Sequence, residues 1–192
     1  EGCLRLGIKG LVAPMVESSF AVQKFILSVS DRSRLLSMDI PKRFINIETI
    51  TACSAADEII SNNKANLDGI VVGRSDLSRS MGLDKSDVDG SQVMQVVEQT
   101  MKIAKSHGLV TKMGGTISKG SISPIRDLHA SALLDRFETR AVVFDIARCP
   151  DIGQAIVAAL EYEQMLLRKR HHLHSVKASF FDNRVKNIGK RK

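Results

Sequence analysis

Two carboxylates that follow apolar segments are the residues of this sequence best placed to do chemistry. Glu48 directly follows residues 44–47 (FINI), and Asp76 follows residues 70–75 (IVVGRS). About thirty residues separate the two acids, which is the length of one strand–helix–strand unit. Carboxylates at the C-terminal ends of neighbouring parallel strands converge on one point. The pair therefore predicts a divalent-metal site or a pair of acid/base groups.

The same carboxylates also have a structural interpretation. Glu48 can cap the helix that follows it, and Asp76 can cap a helix or form an ion pair. In favour of a metal site, Mg²⁺ commonly takes one or two carboxylates and completes its octahedron with water and substrate. The spacing alone leaves metal ligation and helix capping as competing hypotheses.

Short apolar runs alternate with helical patterns along the chain and would position these acids. We predict strands, from continuous apolar runs, at residues 10–16, 44–48, 67–73, 109–113 and 140–146. We predict helices from about residue 18 onward and at residues 54–62, 87–107, 121–135 and 151 to about 174, with Gly108 as a C-cap. This alternation indicates a parallel sheet with right-handed crossovers. Five units cannot close an eight-stranded barrel, so we expect either an open five-stranded sheet or the last five-eighths of a barrel.

Composition narrows the class of protein. The chain has 192 residues, of which 43% are hydrophobic and 4% aromatic, so the core should be aliphatic. Few aromatic residues argue against a module that stacks nucleic-acid bases. Three cysteines without a CxxC pattern indicate reduced thiols. The sequence has neither an apolar run of about eighteen residues nor a signal-peptide pattern, so we expect a cytoplasmic protein with no membrane partner.

The net charge of +7 is concentrated near the C-terminus. Residues 164–192 contain nine Lys or Arg against Asp182 alone, a net charge of +8, so residues 1–163 sum to −1. We divide the chain into an α/β barrel domain, residues 1–176, and a basic C-terminal tail, residues 177–192. The chain opens with Glu1 rather than Met, and we expect an upstream part.

Four motifs in order carry a resemblance to a known family. APMVES, NIET, GRSDLS-x-x-MG and the Gly114-Gly115 turn resemble the HpcH/HpaI aldolase and citrate lyase beta-subunit family. The resemblance spans roughly residues 10–115. It implies a TIM (β/α)8 barrel of the phosphoenolpyruvate/pyruvate type, of which this chain holds about the last five β/α units. It also implies that a catalytic Arg, and in the aldolases a His, lie upstream of residue 1.

The resemblance assigns roles to residues around the two acids. Glu48 and Asp76 match the ligands of Mg²⁺, Mn²⁺ or a similar divalent ion. Asn46 stands where such aldolases often have Gln, which contacts substrate or metal-bound water. The Ser75–Asp76 backbone matches the stretch whose N–H groups meet the substrate carboxylate. Asn46 and Ser75 both depart from the usual aldolase residues, which leaves the substrate open.

Four further residues are candidates for substrate contact. Arg74, next to the GRSDLS motif, could face an anion or lie solvated at the rim. Gly114 and Gly115 could let a substrate approach the backbone closely, or could form a plain strand-to-helix turn. Pro14, in the APMVES motif, is expected to shape the end of its strand.

The function that the resemblance implies is a metal-dependent carbon–carbon lyase. Such an aldolase cleaves or forms a bond to a pyruvate-like 2-oxo acid through a metal-stabilised enolate. The alternative within the family is a CoA-thioester lyase of the citryl- or malyl-CoA kind. A different class is a non-catalytic barrel that binds a partner through its basic tail. Family members also imply a homo-oligomer formed through the last helix.

Overall fold

A six-stranded sheet forms the centre of the computed structural model, which describes residues 1–189. Its strands follow chain order: β1 Gly10–Ala13, β2 Lys42–Ile47, β3 Gly69–Gly73, β4 Val110–Gly114, β5 Arg136–Glu138 and β6 Val143–Asp145. The first five strands pair in parallel, and β6 pairs antiparallel to β5. The predicted parallel α/β arrangement is confirmed, and the curled sheet has the form of a half-barrel.

Helices connect the strands. They are α1 Gly2–Arg5, α2 Ser19–Leu35, α3 Ile50–Ser54, α4 Ala56–Ser61, α5 Arg74–Ser80, α6 Ser91–Ser106, α7 Ile122–Ala130 and α8 Ile152–Gly189. Short 3-10 turns lie at Lys64–Asn66, Lys85–Asp89, Lys119–Ser121 and Ile146–Arg148. No helix among the described residues is both long and apolar enough to cross a membrane.

Local sequence explains where several helices begin and end. The Ala21 N–H donates to Ser18 Oγ at the start of α2. The Ala52 N–H donates to Thr49 Oγ1 at the start of α3. Gly108 follows α6 with a φ of +74°, a left-handed conformation that ends a helix at little cost to glycine. Thr49 therefore starts a helix immediately beyond Glu48 and fixes where that acid lies.

Alternation along the strands separates an apolar face from a polar one. Ile45, Ile47, Ile70, Val72 and Met113 are fully buried and belong to the main hydrophobic core, with residues from the helices. Successive side chains of a strand point to opposite faces. The intervening side chains, which include Asn46, Glu48, Lys112 and Glu138, therefore lie on the other face. That face carries the groups able to do chemistry.

The predicted fifth strand is wrong in position and direction. We expected a parallel strand at residues 140–146, but β5 precedes it, and residues 143–145 form the antiparallel β6. The Thr139 N–H donates to the Val142 carbonyl at 2.9 Å, which closes a short hairpin. A connection of this length can join only antiparallel strands. The predicted helix at 121–135 was too long, since α7 ends at Ala130 and Ala132 has a φ of +56°.

The last helix extends beyond its predicted end near residue 174. α8 runs from Ile152 to Gly189, which is 38 residues. The proposed boundary between residues 176 and 177 falls inside this helix. Residues 190–192 of the predicted tail lie outside the described residues.

Candidate functional site

A cavity of about 640 Å³ lies at the C-terminal ends of β2 to β5. The strands contribute Asn46, Gly73, Gly114 and Glu138 to its lining, and Glu48 lies directly after β2. The first turns of α5 add Ser75, Asp76 and Arg79, and α8 adds Leu160 and Glu163. This is the edge where the sequence predicted that the two acids would meet.

Two glycines leave room for acidic side chains in the cavity. Gly73 and Gly114 are register partners on β3 and β4. A Cβ atom at Gly73 would lie 2.5 Å from Glu48 Oε2, and one at Gly114 would lie 3.1 Å from Glu138 Cγ. Glu48, just beyond β2, and Glu138, at the end of β5, therefore flank a floor without side chains, which we call the glycine floor (Gly73 and Gly114).

Glu48 is held in one orientation by two hydrogen bonds. Its side chain is mostly enclosed, and the residue is 6% exposed. The Met15 N–H donates to Oε1 at 2.8 Å, and Asn46 Nδ2 donates to Oε2 at 3.0 Å. A carboxylate has about four acceptor positions, so each oxygen retains one. Glu48 is thus a fixed carboxylate with capacity for a further ligand.

Asp76 lines the same cavity but is more open. Its side chain is 50% exposed, and Oδ1 lies 3.8 Å from Arg79 Nη1 on the same helix. The exposed partner and the long distance make this a weak ion pair. The two predicted metal ligands thus share one cavity, and their role as ligands stays a prediction.

The donor set fits a hard divalent ion. Asn46 Oδ1 is buried and has no hydrogen-bond partner among the described residues. Together with Glu48 and Asp76, it would offer three oxygen ligands. Within the described part of the chain, no group of three or more His, Cys, Asp or Glu residues could hold a metal. Two carboxylates and an amide oxygen suit Mg²⁺ or Mn²⁺, which keep water and substrate ligands, better than Zn²⁺.

Arg74 lies beneath the cavity and does not line it. Its guanidinium is fully buried and forms an ion pair with Asp89. Nε donates to the Gly114 carbonyl at 3.1 Å, and Nη2 donates to the Gly115 carbonyl at 3.0 Å. Burial lowers the pKa of Arg74, and Asp89 opposes that shift. Arg74 therefore neither faces the substrate cavity nor lies in solvent, as the two hypotheses from the sequence had it. Its side chain instead connects the Gly114-Gly115 turn to the start of α5.

The remaining predicted substrate residues divide into two groups. Gly114, Gly115 and Ser75 line the cavity, and Ser75 Oγ lies 2.7 Å from Thr116 Oγ1. Gly115 has a φ of +84°, and a Cβ atom there would lie 2.5 Å from the Ser75 backbone nitrogen. Pro14 is exposed and lies outside the lining, although the next residue, Met15, orients Glu48.

Two charged residues at the site, one buried and one partly buried, were missed by sequence reasoning. Glu138 lines the cavity, and Lys112 is 6% exposed with Nζ 3.5 Å from the centroid of the Phe44 ring. Burial lowers the pKa of Lys112, with Glu138 opposing the shift and Arg136 adding to it. Alternation in β4 could have placed Lys112 on the face of Gly114. Glu138 could not be found because β5 was not predicted.

The chain belongs to the HpcH/HpaI aldolase/citrate lyase family, because the model of that family matches residues 1–114, more than half of the chain. This match confirms the resemblance of the four motifs. A search of curated protein sequences found no match.

Solved structures show the same kind of fold. An HpcH/HpaI aldolase from Desulfitobacterium hafniense DCB-2 has a TM-score of 0.59 at 15% identity, covering 87% of this chain and 65% of that one. The citrate synthase SbnG has a TM-score of 0.57 at 18% identity, with coverages of 88% and 66%. A magnesium/glyoxylate complex of Haloferax volcanii malate synthase has a TM-score of 0.56 at 18% identity, with coverages of 69% and 41%. The chain spans less than two thirds of the length of each of these proteins.

Proposed function

We propose that the protein is a divalent-metal-dependent carbon–carbon lyase of the aldolase type, acting on a bond to a pyruvate-like 2-oxo acid. The observation that carries the proposal is the shared cavity of Glu48 and Asp76, in which Glu48 is already oriented by two hydrogen bonds. Family membership supports lyase chemistry. We further propose that the half-barrel corresponds to the last five units of a (β/α)8 barrel, with the Arg and His of the site supplied upstream.

Glu48, Asp76 and the free Asn46 oxygen would hold the ion. An ion held there would supply Lewis-acid chemistry to the 2-oxo carbonyl of the substrate. Met15 contributes by orienting the Glu48 carboxylate through its N–H. Outer contacts of this kind fix the direction of a ligand's lone pairs.

Other residues of the cavity would bind and orient the substrate. The Ser75 hydroxyl and the Ser75–Asp76 backbone are suited to the substrate carboxylate. The glycine floor leaves the space in which a small 2-oxo acid fits. Arg79 and Arg140 border the cavity and would attract an anion to it.

A second candidate within the family is a lyase for CoA thioesters of the citryl- or malyl-CoA kind. The observation that favours it is the arginine pair at the cavity border, because Arg79 and Arg140 suit phosphate groups as well as carboxylates. Substrate tests separate the two candidates by their products.

We also propose a homo-oligomer formed through α8. The helix exposes several large apolar side chains, which favour packing against another chain: Leu160, Met165, Leu167, Leu173 and Val176. The expected cytoplasmic location stays a prediction.

A substrate screen tests the proposed lyase. The protein is incubated with a panel of 4-hydroxy-2-oxo acids and Mg²⁺ or Mn²⁺, and released pyruvate is measured by coupled reduction with lactate dehydrogenase. We expect release that falls to background in EDTA and returns when Mg²⁺ or Mn²⁺ is restored. Malyl- and citryl-CoA are assayed in parallel for carbon–carbon cleavage, which releases acetyl-CoA and an oxo acid. If the protein turns over neither substrate class, the proposed lyase is wrong. An EDTA-insensitive function lost on deleting residues 177–192 would favour a binding protein instead.

A further inference from the structure

Glu138 occupies a position in the cavity that the metal ligands do not use. It ends β5 and faces Glu48 across the glycine floor. A Cβ atom at Gly114 would lie 3.1 Å from Glu138 Cγ and 3.3 Å from Glu138 Oε1. The Glu138 carboxylate thus leans over the floor, where a small substrate would lie.

The Glu138 carboxylate is free of polar partners within the described part of the chain. No hydrogen bond or ion pair reaches either of its oxygens there, although the residue is partly buried. The two acids proposed as metal ligands differ in this respect. Glu48 accepts two hydrogen bonds, and Asp76 lies near Arg79. Glu138 is therefore the acid of this group most free to exchange a proton with a bound molecule.

The surroundings of Glu138 shift its pKa upward. Burial raises the pKa of Glu138, Lys112 opposes the shift, and the negative charge of Glu48 adds to it. Lys112 lies on the neighbouring strand β4, and its ammonium lies over the Phe44 ring. Together with its place over the glycine floor, this shift suits Glu138 to proton transfer, because a raised pKa makes a carboxyl group a better base.

We propose that Glu138 is the catalytic acid/base that moves a proton to and from C3 of the pyruvate unit. This inference rests on the proposed lyase function and names the group that completes its reaction. Cleavage of the C3–C4 bond leaves an enolate that must gain a proton at C3. The Glu138 O–H bond breaks, the C2–C3 π pair forms the new C3–H bond, and the C2 carbonyl is restored. Glu138 is left as a carboxylate, and the reverse step removes a C3 proton for bond formation.

Exchange of the pyruvate methyl protons isolates this step. Pyruvate is incubated in D₂O with the protein and Mg²⁺ or Mn²⁺, and loss of the methyl signal is followed by ¹H NMR. No aldehyde partner is needed. We expect wild-type protein to exchange these protons and Glu138→Gln to do so at least about 100-fold more slowly. Glu161→Gln, an exposed site on α8 outside the cavity lining, is the matched control and should exchange at the wild-type rate.

A second readout separates proton transfer from binding or folding. Oxalate has the shape and charge of the pyruvate enolate, and its metal-dependent affinity is measured by calorimetry. Glu138→Gln should keep this affinity within about threefold, a free-energy change well under 1.4 kcal/mol, and should melt at the wild-type temperature.

Each contrary outcome identifies what is wrong. If Glu138→Gln exchanges as fast as wild type, the role of Glu138 is wrong and the lyase stands. If the variant loses oxalate affinity as well as exchange, Glu138 is a binding residue and not the acid/base. If wild-type protein exchanges nothing with either metal, the lyase and the role of Glu138 are both wrong.

Discussion

Asp76→Ala is expected to lower metal-dependent turnover by at least about 100-fold. Loss of an outer-shell partner of a metal ligand costs up to about 100-fold, and loss of a direct ligand should cost at least as much. Asp76 is one of two carboxylates in the proposed ligand set, and its loss leaves Glu48 as the only charged ligand. The fold should persist, because the side chain is 50% exposed and its ion pair with Arg79 spans 3.8 Å. Pyruvate release measured against Mg²⁺ concentration checks the first expectation, and the melting temperature checks the second.

Asp39→Ala is the matched control for this experiment. Asp39 is exposed in the loop before β2, away from the cavity lining, and the substitution removes the same charge. It should leave both turnover and melting temperature unchanged. Wild-type turnover in Asp76→Ala would be incompatible with the proposed ligand set.

Arg74→Met is expected to lower the free energy of unfolding by about 3 kcal/mol, the cost of leaving one member of a buried ion pair without its partner. The substitution keeps the apolar part of the side chain but removes the ion-pair partner of Asp89, which retains the Ser121 hydroxyl as a donor. It also removes the donors to the Gly114 and Gly115 carbonyls. Because this turn lines the cavity, activity should fall together with stability. Urea unfolding curves with an unchanged slope measure the loss.

Arg79→Met is the control that separates burial from charge. Arg79 lies on the same short helix with its side chain 65% exposed. Its substitution should change the free energy of unfolding by no more than about 0.5 kcal/mol. Equal stability of the two variants would show that the guanidinium of Arg74 does not hold the turn in place.

The acidic site could be predicted because its residues stand at strand ends that the sequence marks clearly. Glu48 and Asp76 follow continuous apolar runs, and period-two alternation puts Asn46 on the face of Glu48. Parallel strands bring such ends to one edge whatever the intervening helices do. No contact beyond the parallel pairing of β2 with β3 was needed to predict that these residues lie at one edge.

Arg74 shows why a neighbouring residue could not be placed. Sequence position puts it beside Asp76, but α5 begins at Arg74 and turns its side chain under the floor. Asp89, its ion-pair partner, lies fifteen residues further along the chain in a short 3-10 turn. A contact made by the tertiary fold leaves no periodic signal in the sequence.

Glu138 was missed because its strand is too short to produce a recognisable apolar pattern in the sequence. β5 has three residues, and only Phe137 among them is apolar and fully buried. The fifth strand was predicted instead at the stronger apolar run of residues 141–144, part of which forms the antiparallel β6. The extent of α8 was missed for another reason: the polar positions after residue 174 weaken helical periodicity, whereas the structure continues the helix to Gly189.

A binding titration of Mn²⁺ tests the central claim that Glu48 and Asp76 form a divalent-metal site. Calorimetry is performed on the wild-type protein and on Glu48→Gln, each with saturating oxalate. The proposed site predicts one Mn²⁺ per chain in the wild type and an affinity at least about 100-fold weaker in the variant, a change of about 2.7 kcal/mol. Absence of Mn²⁺ binding in the wild type, or equal affinity in the variant, would contradict the site and the chemistry built on it.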